Sequence, residues 1–182
     1  VRNIIEDQKN INTILHWEKF KRLKNNDLIL EQINNFAGKK SMKVGLWMDV
    51  NVGMNRTGIV PDEKAFKLFK SLTTSENIIA EGFHVYDGHL RNPNFNQRKK
   101  DCDTAFEKVL LLKAKLEKES FNVKHIIAGG SPSFPVHALR DDVDLSPGTT
   151  LLWDAGYGDL FPEMKMLHAA VLVTRIISKP SE

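Results

Sequence analysis

The sequence predicts an α/β protein built on a parallel sheet, and three observations predict it. Segments with apolar residues at three- and four-residue steps alternate along the chain with short apolar runs, the pattern of strands joined through helices. One run, His125-Ile126-Ile127-Ala128, is nearly all apolar, which suits a strand covered on both faces. The runs end in polar, glycine-rich turns, where a parallel architecture collects its chemistry.

Taken in order, residues 1–37 read as helical, with apolar positions at Ile11, Ile14, Leu15, Phe20 and Leu23 and a break at Asn25-Asn26. Over 27–37, Asp27 is the expected N-cap, Leu30, Ile33 and Phe36 the apolar stripe, and Gly38 the glycine just past the end. Residues 43–50 supply a strand in which Val44, Leu46 and Met48 alternate with Gly45, Trp47 and Asp49. A helix is expected at 62–72, a strand at 78–86, a long helix at about 96–119 and a strand at 123–128. Beyond Asp141 the rhythm changes. Two short extended runs, 143–145 and 149–153, flank Ser146-Pro147-Gly148, and a β-rich tail covers 169–178.

Composition excludes several classes. With 182 residues, 41% apolar and 27% charged, the chain is long enough for a real core. The net charge of +3 is spread along the chain, so no nucleic-acid footprint is indicated. No apolar run approaches the ~18 residues a bilayer span needs. The single cysteine, Cys102, excludes an internal disulfide framework and points to a reducing, cytoplasmic home. It lies within the long predicted helix, which makes it a structural thiol. The start, Val1-Arg2-Asn3, lacks both an initiator methionine and a signal peptide, so the chain is expected to be a fragment of something longer.

Four turns carry the chemistry. After the first strand comes Asp49-Val50-Asn51-Val52-Gly53-Met54-Asn55-Arg56-Thr57-Gly58, and after the second His84-Val85-Tyr86-Asp87-Gly88-His89. Gly129-Gly130-Ser131-Pro132-Ser133 and Ser146-Pro147-Gly148-Thr149 follow the next two. The last pair offer unobstructed backbone N–H groups beside hydroxyls, which either cradle a phosphate or merely turn the chain. Arg56 is suited to a phenolate or carboxylate oxygen, its alternative being a surface ion pair. His84 and Tyr86, two apart, share a face and can stack on an aromatic ring, whereas a buried His84 satisfied by the protein is the other reading. His89 is a candidate acid/base in a loop. Asp49 and Asp154 lack a chelating partner on the same element and read as structural, and His16, His125, His137 and His168 show no pattern.

These four motifs, with Trp153-Asp154-Ala155-Gly156-Tyr157-Gly158, resemble the D-threonine aldolase and D-serine dehydratase family of alanine-racemase-like, fold-type III enzymes. The resemblance runs from about Asp27 to the end. It implies a partial (β/α)8 TIM-type barrel over 1–165 that binds pyridoxal 5′-phosphate, with the truncated start of a C-terminal β-domain at 166–182. It implies that Arg56 binds the cofactor's phenolic oxygen and that His84 or Tyr86 lies against its ring or near the substrate. Ser131, Gly148 and Thr149 hold its phosphate, with Gly130 assisting. Ser146 stands where a racemase has an arginine near the pyridine nitrogen, which favours a lyase. The implied activity is cleavage of a small D-3-hydroxy amino acid, as D-threonine to glycine and acetaldehyde, with His89 a candidate base. Alternatives are D-serine dehydratase, an amino-acid racemase-like protein and a non-catalytic pyridoxal-phosphate-binding protein. The family's Schiff-base lysine has no counterpart: Lys9, Lys19, Lys21, Lys24, Lys39 and Lys40 stand in helical or turn contexts, so the chain alone is expected to be inactive. Its divalent-metal ligands belong to the β-domain, outside this chain, and the fold allows a homodimer. A whole barrel takes about 250 residues, and only about five of its strands can be counted here.

Overall fold

The computed structural model describes residues 13–15 and 26–180. Five strands, β1 (Thr13–Leu15), β2 (Val44–Val50), β3 (Ile78–Val85), β4 (His125–Ala128) and β5 (Asp144–Leu145), form one sheet in chain order with every pair parallel. The crossovers carry α1 (Asn26–Lys39), α2 (Glu63–Thr74), α3 (Phe95–Lys118) and the short α4 (Phe134–His137), and α5 (Ala155–Leu160) follows β5. This is the predicted α/β architecture, five adjacent strands of a (β/α) barrel. Among the described residues no helix is long and apolar enough to cross a membrane.

The helices form where the pattern and the caps agree. In α2, Asp62 accepts from the N–H groups of Lys64 and Ala65 at 2.8 and 3.3 Å, and Ala65, Phe66, Leu68, Phe69 and Leu72 face the sheet. Asn94 caps α3, whose buried stripe of Arg98, Cys102, Phe106, Val109, Leu112 and Leu116 repeats at three- and four-residue steps. Arg98 is fully buried: it donates to the carbonyl of Asn92, pairs with Glu163, and lies over the rings of Phe95 and Phe161, while its Nε has no hydrogen-bond partner among the described residues.

Several local expectations are corrected. Ile14 and Leu15 belong to a strand, because Thr13–Leu15 pairs along Leu46 to Met48; the other helical positions assigned before Asn26 lie outside the described residues. Helix α1 starts at Asn26, so Asp27 lies inside it, and its buried stripe is Ile29, Leu30, Ile33 and Ala37, with Phe36 half-buried. Gly38 sits within the last turn, and Ser41 takes the left-handed position (φ 52°) while the Met42 N–H reaches back to the Ala37 carbonyl. Gly38 serves close approach instead: a Cβ there would lie 2.9 Å from Asn77 Nδ2.

Thr149–Leu151 forms a 3-10 turn, not a strand, closed by the N–H groups of Leu152 and Trp153 on the Thr149 carbonyl. Residues 169–178 form no strand. Among the described residues they have no neighbour to take their backbone groups beyond one bond from Ala169 to Leu152, and Val171, Leu172, Val173, Ile176 and Ile177 are exposed.

A slip in the β2–β3 ladder positions the site. Leu46 pairs with Ala80 but Trp47 pairs with Gly82, so Glu81 is an extra residue. Ile78 and Ala80 point to the helix-side core before the slip and Phe83 and Val85 after it, joined there by Val44, Leu46, Met48 and Val50. Strict alternation from Ile78 would have put His84 in that core. The bulge turns it to the opposite face, beside Asp49, its register partner.

Candidate functional site

Because all strands are parallel, the loops after β2, β3, β4 and β5 meet at one end of the sheet. After β2, Asn51 organises its own loop: its Oδ1 accepts from the N–H groups of Gly53 and Asn55 at 3.0 Å each. Residues 51–58 leave and rejoin the sheet through the Val50–Ile59 bridge, which returns the chain in one compact turn. Arg56, exposed on this turn, lies over the ring of Tyr86 at 4.3 Å. It forms no ion pair with the described residues, so the alternative reading, a surface ion pair, finds no partner among them.

On β3, His84 is buried and its Nδ1 lies 2.8 Å from Asp49 Oδ1. A carboxylate only accepts, so the imidazole carries a proton on the Nδ1 that faces Asp49. Asp49, read from sequence as structural, therefore sets the tautomer of a candidate site residue. Tyr86 is half-buried between Arg56 on one side and two glycines. A Cβ on Gly130 would lie 3.0 Å from Tyr86 Cε2, and one on Gly88 would overlap its hydroxyl. Tyr86 thus supports Arg56, while His84 is held by Asp49.

His89 reaches from the β3 loop to the β2 loop. A Cβ on Gly53 would stand 2.9 Å from its Nε2, and its Nδ1 is buried without a hydrogen-bond partner among the described residues.

The third and fourth turns are joined to each other. Ser146 donates from its N–H to the Ala128 carbonyl (3.3 Å) and from its hydroxyl to the Gly129 carbonyl (3.2 Å). The Thr150 hydroxyl lies 3.4 Å from that of Ser131, which is buried. Ser131 and the Gly148-Thr149 pair are therefore brought together, with Gly148 and Thr149 exposed. Gly148 has an ordinary backbone (φ −87°) and a Cβ there would meet nothing within 4 Å, so the fold itself does not require a glycine. Gly130 differs: its N–H is committed to Asp87 Oδ1 (3.2 Å) and Ser133 Oγ (2.9 Å).

Asp87, Ser133 and His137 escaped sequence reasoning. Asp87 is 1% exposed and sits at the centre of a network, its Oδ1 accepting from the Gly130 N–H and the Ser133 hydroxyl and its Oδ2 from His137 Nε2 at 2.7 Å. Burial pushes the Asp87 carboxyl up, but the His137 hydrogen bond and charge, the Ser133 hydroxyl and the Gly130 N–H outweigh it and hold it below its ordinary 3.8. The one legible hint was the placement of Asp87 between Tyr86 and Gly88. Ser133 and His137 were hidden because Pro132 and Pro135 disguise the short helix α4.

Cys102 lies against this network, with ligand-type atoms of Asp87, Cys102 and His137 within 4.8 Å of one another. Both Asp87 oxygens are already engaged, and burial, then the Asp87 charge, pushes the thiol up to about 12, so the cluster works as an internal hydrogen-bond network. A thiol so placed does not ionise near neutrality. Iodoacetamide is expected to leave Cys102 unmodified in the folded protein and to alkylate it in urea, read by mass spectrometry. Rapid labelling of the native chain would contradict this.

Of the lysines, Lys9, Lys19, Lys21 and Lys24 lie outside the described residues; Lys39 and Lys40 end α1 at the opposite end of the sheet from the four turns.

Residues 11–154 match the model of the family described as alanine racemase, N-terminal domain. A curated relative, the 3-hydroxy-D-aspartate aldolase of Paracoccus denitrificans (strain Pd 1222), is 24% identical over 124 residues, 67% of this chain and 32% of that protein. The chain thus spans about a third of the curated relative it matches. Among solved structures, D-threonine aldolase from Filomicrobium marinum superposes with a TM-score of 0.72 at 21% identity, covering 80% of this chain and 40% of that one. Alanine racemase of Clostridium difficile 630, in complex with cycloserine, gives 0.61 at 18% identity, covering 75% and 36%.

Proposed function

Because the chain belongs to the alanine racemase N-terminal domain family, we propose that it forms the cofactor-binding part of a pyridoxal 5′-phosphate-dependent lyase that cleaves D-3-hydroxy amino acids, most like D-threonine aldolase. The observation that carries the reading is one unbroken line of contacts at the carboxyl ends of the strands: Arg56 on Tyr86, Tyr86 against Gly130, and Ser131 against Thr150. It sets a cation at one end and a hydroxyl-rich turn at the other. The relative that cleaves 3-hydroxy-D-aspartate supports the substrate class.

The residues present fit the cofactor. Gly148 faces open space, where a Cβ would meet nothing within 4 Å, and two residues on, the Thr150 hydroxyl lies 3.4 Å from that of Ser131, which gives this end of the sheet the bare backbone and hydroxyls that suit a phosphate. Arg56, without an acidic partner among the described residues, suits the phenolic oxygen. Pyridoxal phosphate, when bound, supplies an electron sink for the carbon–carbon bond that breaks.

The chain's own residues then bind and orient. Ser131, Gly148 and Thr149 hold the phosphate, and Gly130, its N–H committed to Asp87, shapes the turn. Asp49 holds His84 through its Nδ1, and His84 or Tyr86 would lie against the cofactor ring or near the substrate. His89, in the loop after β3, is the candidate base for the proton of the substrate hydroxyl. Ser146, bonded to the Gly129 carbonyl, brings no positive charge to the pyridine nitrogen, and this favours a lyase over a racemase.

The test is direct. Full-length protein reconstituted with pyridoxal 5′-phosphate is expected to release glycine from D-threonine and 3-hydroxy-D-aspartate. Pyruvate from D-serine without glycine from either would transfer the assignment to a dehydratase, and failure to bind the cofactor would end the reading.

A further inference from the structure

We propose that Asp87 is the positioning residue of the phosphate-binding turn, a buried carboxylate at the end of β3 that holds Gly129-Gly130-Ser131, after β4, in the shape that presents Ser131. The proposal rests on the cofactor reading above.

Three donors converge on this one side chain: the Gly130 N–H, the Ser133 hydroxyl and the His137 ring. They lie on both sides of Ser131 in sequence, so the carboxylate ties down the turn before and after the residue assigned to phosphate. A carboxylate accepts from all three with charge-assisted bonds, whereas an amide in its place would keep two acceptances at most, force the His137 ring to exchange its tautomer and remove the charge. The turn is also trapped sterically, because Gly130 stands against the Tyr86 ring and the Gly88 backbone. Tyr86 and Asp87 are neighbours, so one dipeptide supports both ends of the proposed site: Tyr86 under Arg56 and Asp87 under Ser131. The carboxylate stays charged despite its burial because its donors outweigh the cost of leaving water. Ser131 is itself buried and meets Thr150, so a shift of the β4 turn displaces its hydroxyl from the Gly148-Thr149 turn.

The readout is the preference for a phosphate, which loss of overall stability does not alter. Equilibrium binding of pyridoxal 5′-phosphate and of pyridoxal is measured on the full-length protein for wild type, Asp87→Asn and Ser133→Ala. Asp87→Asn is expected to cut the preference for the phosphorylated form about tenfold, the effect of losing one charge-assisted hydrogen-bond set, with pyridoxal affinity unchanged. A folded Asp87→Asn protein with its preference intact would overturn the proposal. If that variant does not fold, Ser133→Ala, which keeps the carboxylate and removes one donor, decides: a loss of about threefold supports the proposal and no loss overturns it. Wild-type protein that binds both forms equally would instead sink the cofactor reading, and this inference with it.

Discussion

Gly82→Ala is expected to cost the protein about 4 kcal/mol or more of its stability, enough to leave a typical domain mostly unfolded or insoluble. Gly82 stands where the β2–β3 register slips, at a φ of 149° that alanine rarely adopts. A Cβ there would lie 1.9 Å from the His125 carbonyl oxygen on the neighbouring strand. That oxygen is backbone, held in the sheet, and cannot swing aside as a side chain could. Relief requires either parting β3 from β4 or undoing the bulge. The second route exchanges the faces of Phe83 and His84, removing a fully buried ring from its 5.1 Å contact with Phe69 and pressing an imidazole into the apolar core. Gly148→Ala is the matched control, with an ordinary backbone and open space, and is expected to stay within about 0.5 kcal/mol of wild type. Urea unfolding of the full-length proteins reads both. A Gly82→Ala protein that unfolds with the wild-type midpoint would refute the bulge as the device that orients His84.

Arg56→Ala is expected to weaken pyridoxal 5′-phosphate binding by about 10- to 100-fold while changing the melting temperature little. The two halves have separate causes. An exposed arginine with no ion pair to the described residues contributes only its contact with Tyr86 to the fold, and exposed substitutions of this kind stay within about 0.5 kcal/mol. A guanidinium bonded to a phenolate contributes about 1.5–3 kcal/mol to binding, which gives the fold-change. Arg56→Lys restores the charge without the planar fork or its stacking on Tyr86, so recovery should be partial. Titration of the cofactor's absorbance, alongside thermal melting, separates binding from stability. Unchanged affinity in Arg56→Ala would remove Arg56 from the site and leave its stacking on Tyr86 as a surface contact.

Much of this site could be read before folding because its parts are turns. Glycines, hydroxyls and one arginine cluster after the strands, and in a parallel sheet every such turn lies at the same end, so the turns that carry Arg56, Ser131, Gly148 and Thr149 share one end of the sheet by topology alone. Asp87 was harder to see. A single acid between a tyrosine and a glycine looks like any solvated turn residue, and its three donors come from 43 to 50 positions along the chain. Thr13–Leu15 was missed for a related reason: three residues have too little periodicity to contradict a helix, and only pairing with Leu46 to Met48 makes them a strand.

By itself, then, the sequence determined the alternation of helices and strands, the parallel sheet and the turns that bear chemistry, because amphipathic period, caps and glycine placement are local properties of the chain. The tertiary structure alone decided which face His84 takes, whose carboxylate fixes its tautomer, and which acid braces the Ser131 turn. Those outcomes depend on one extra residue in a ladder and on donors gathered from distant segments. Neither leaves a mark in any short stretch of sequence, since both are settled by which strands come to lie side by side.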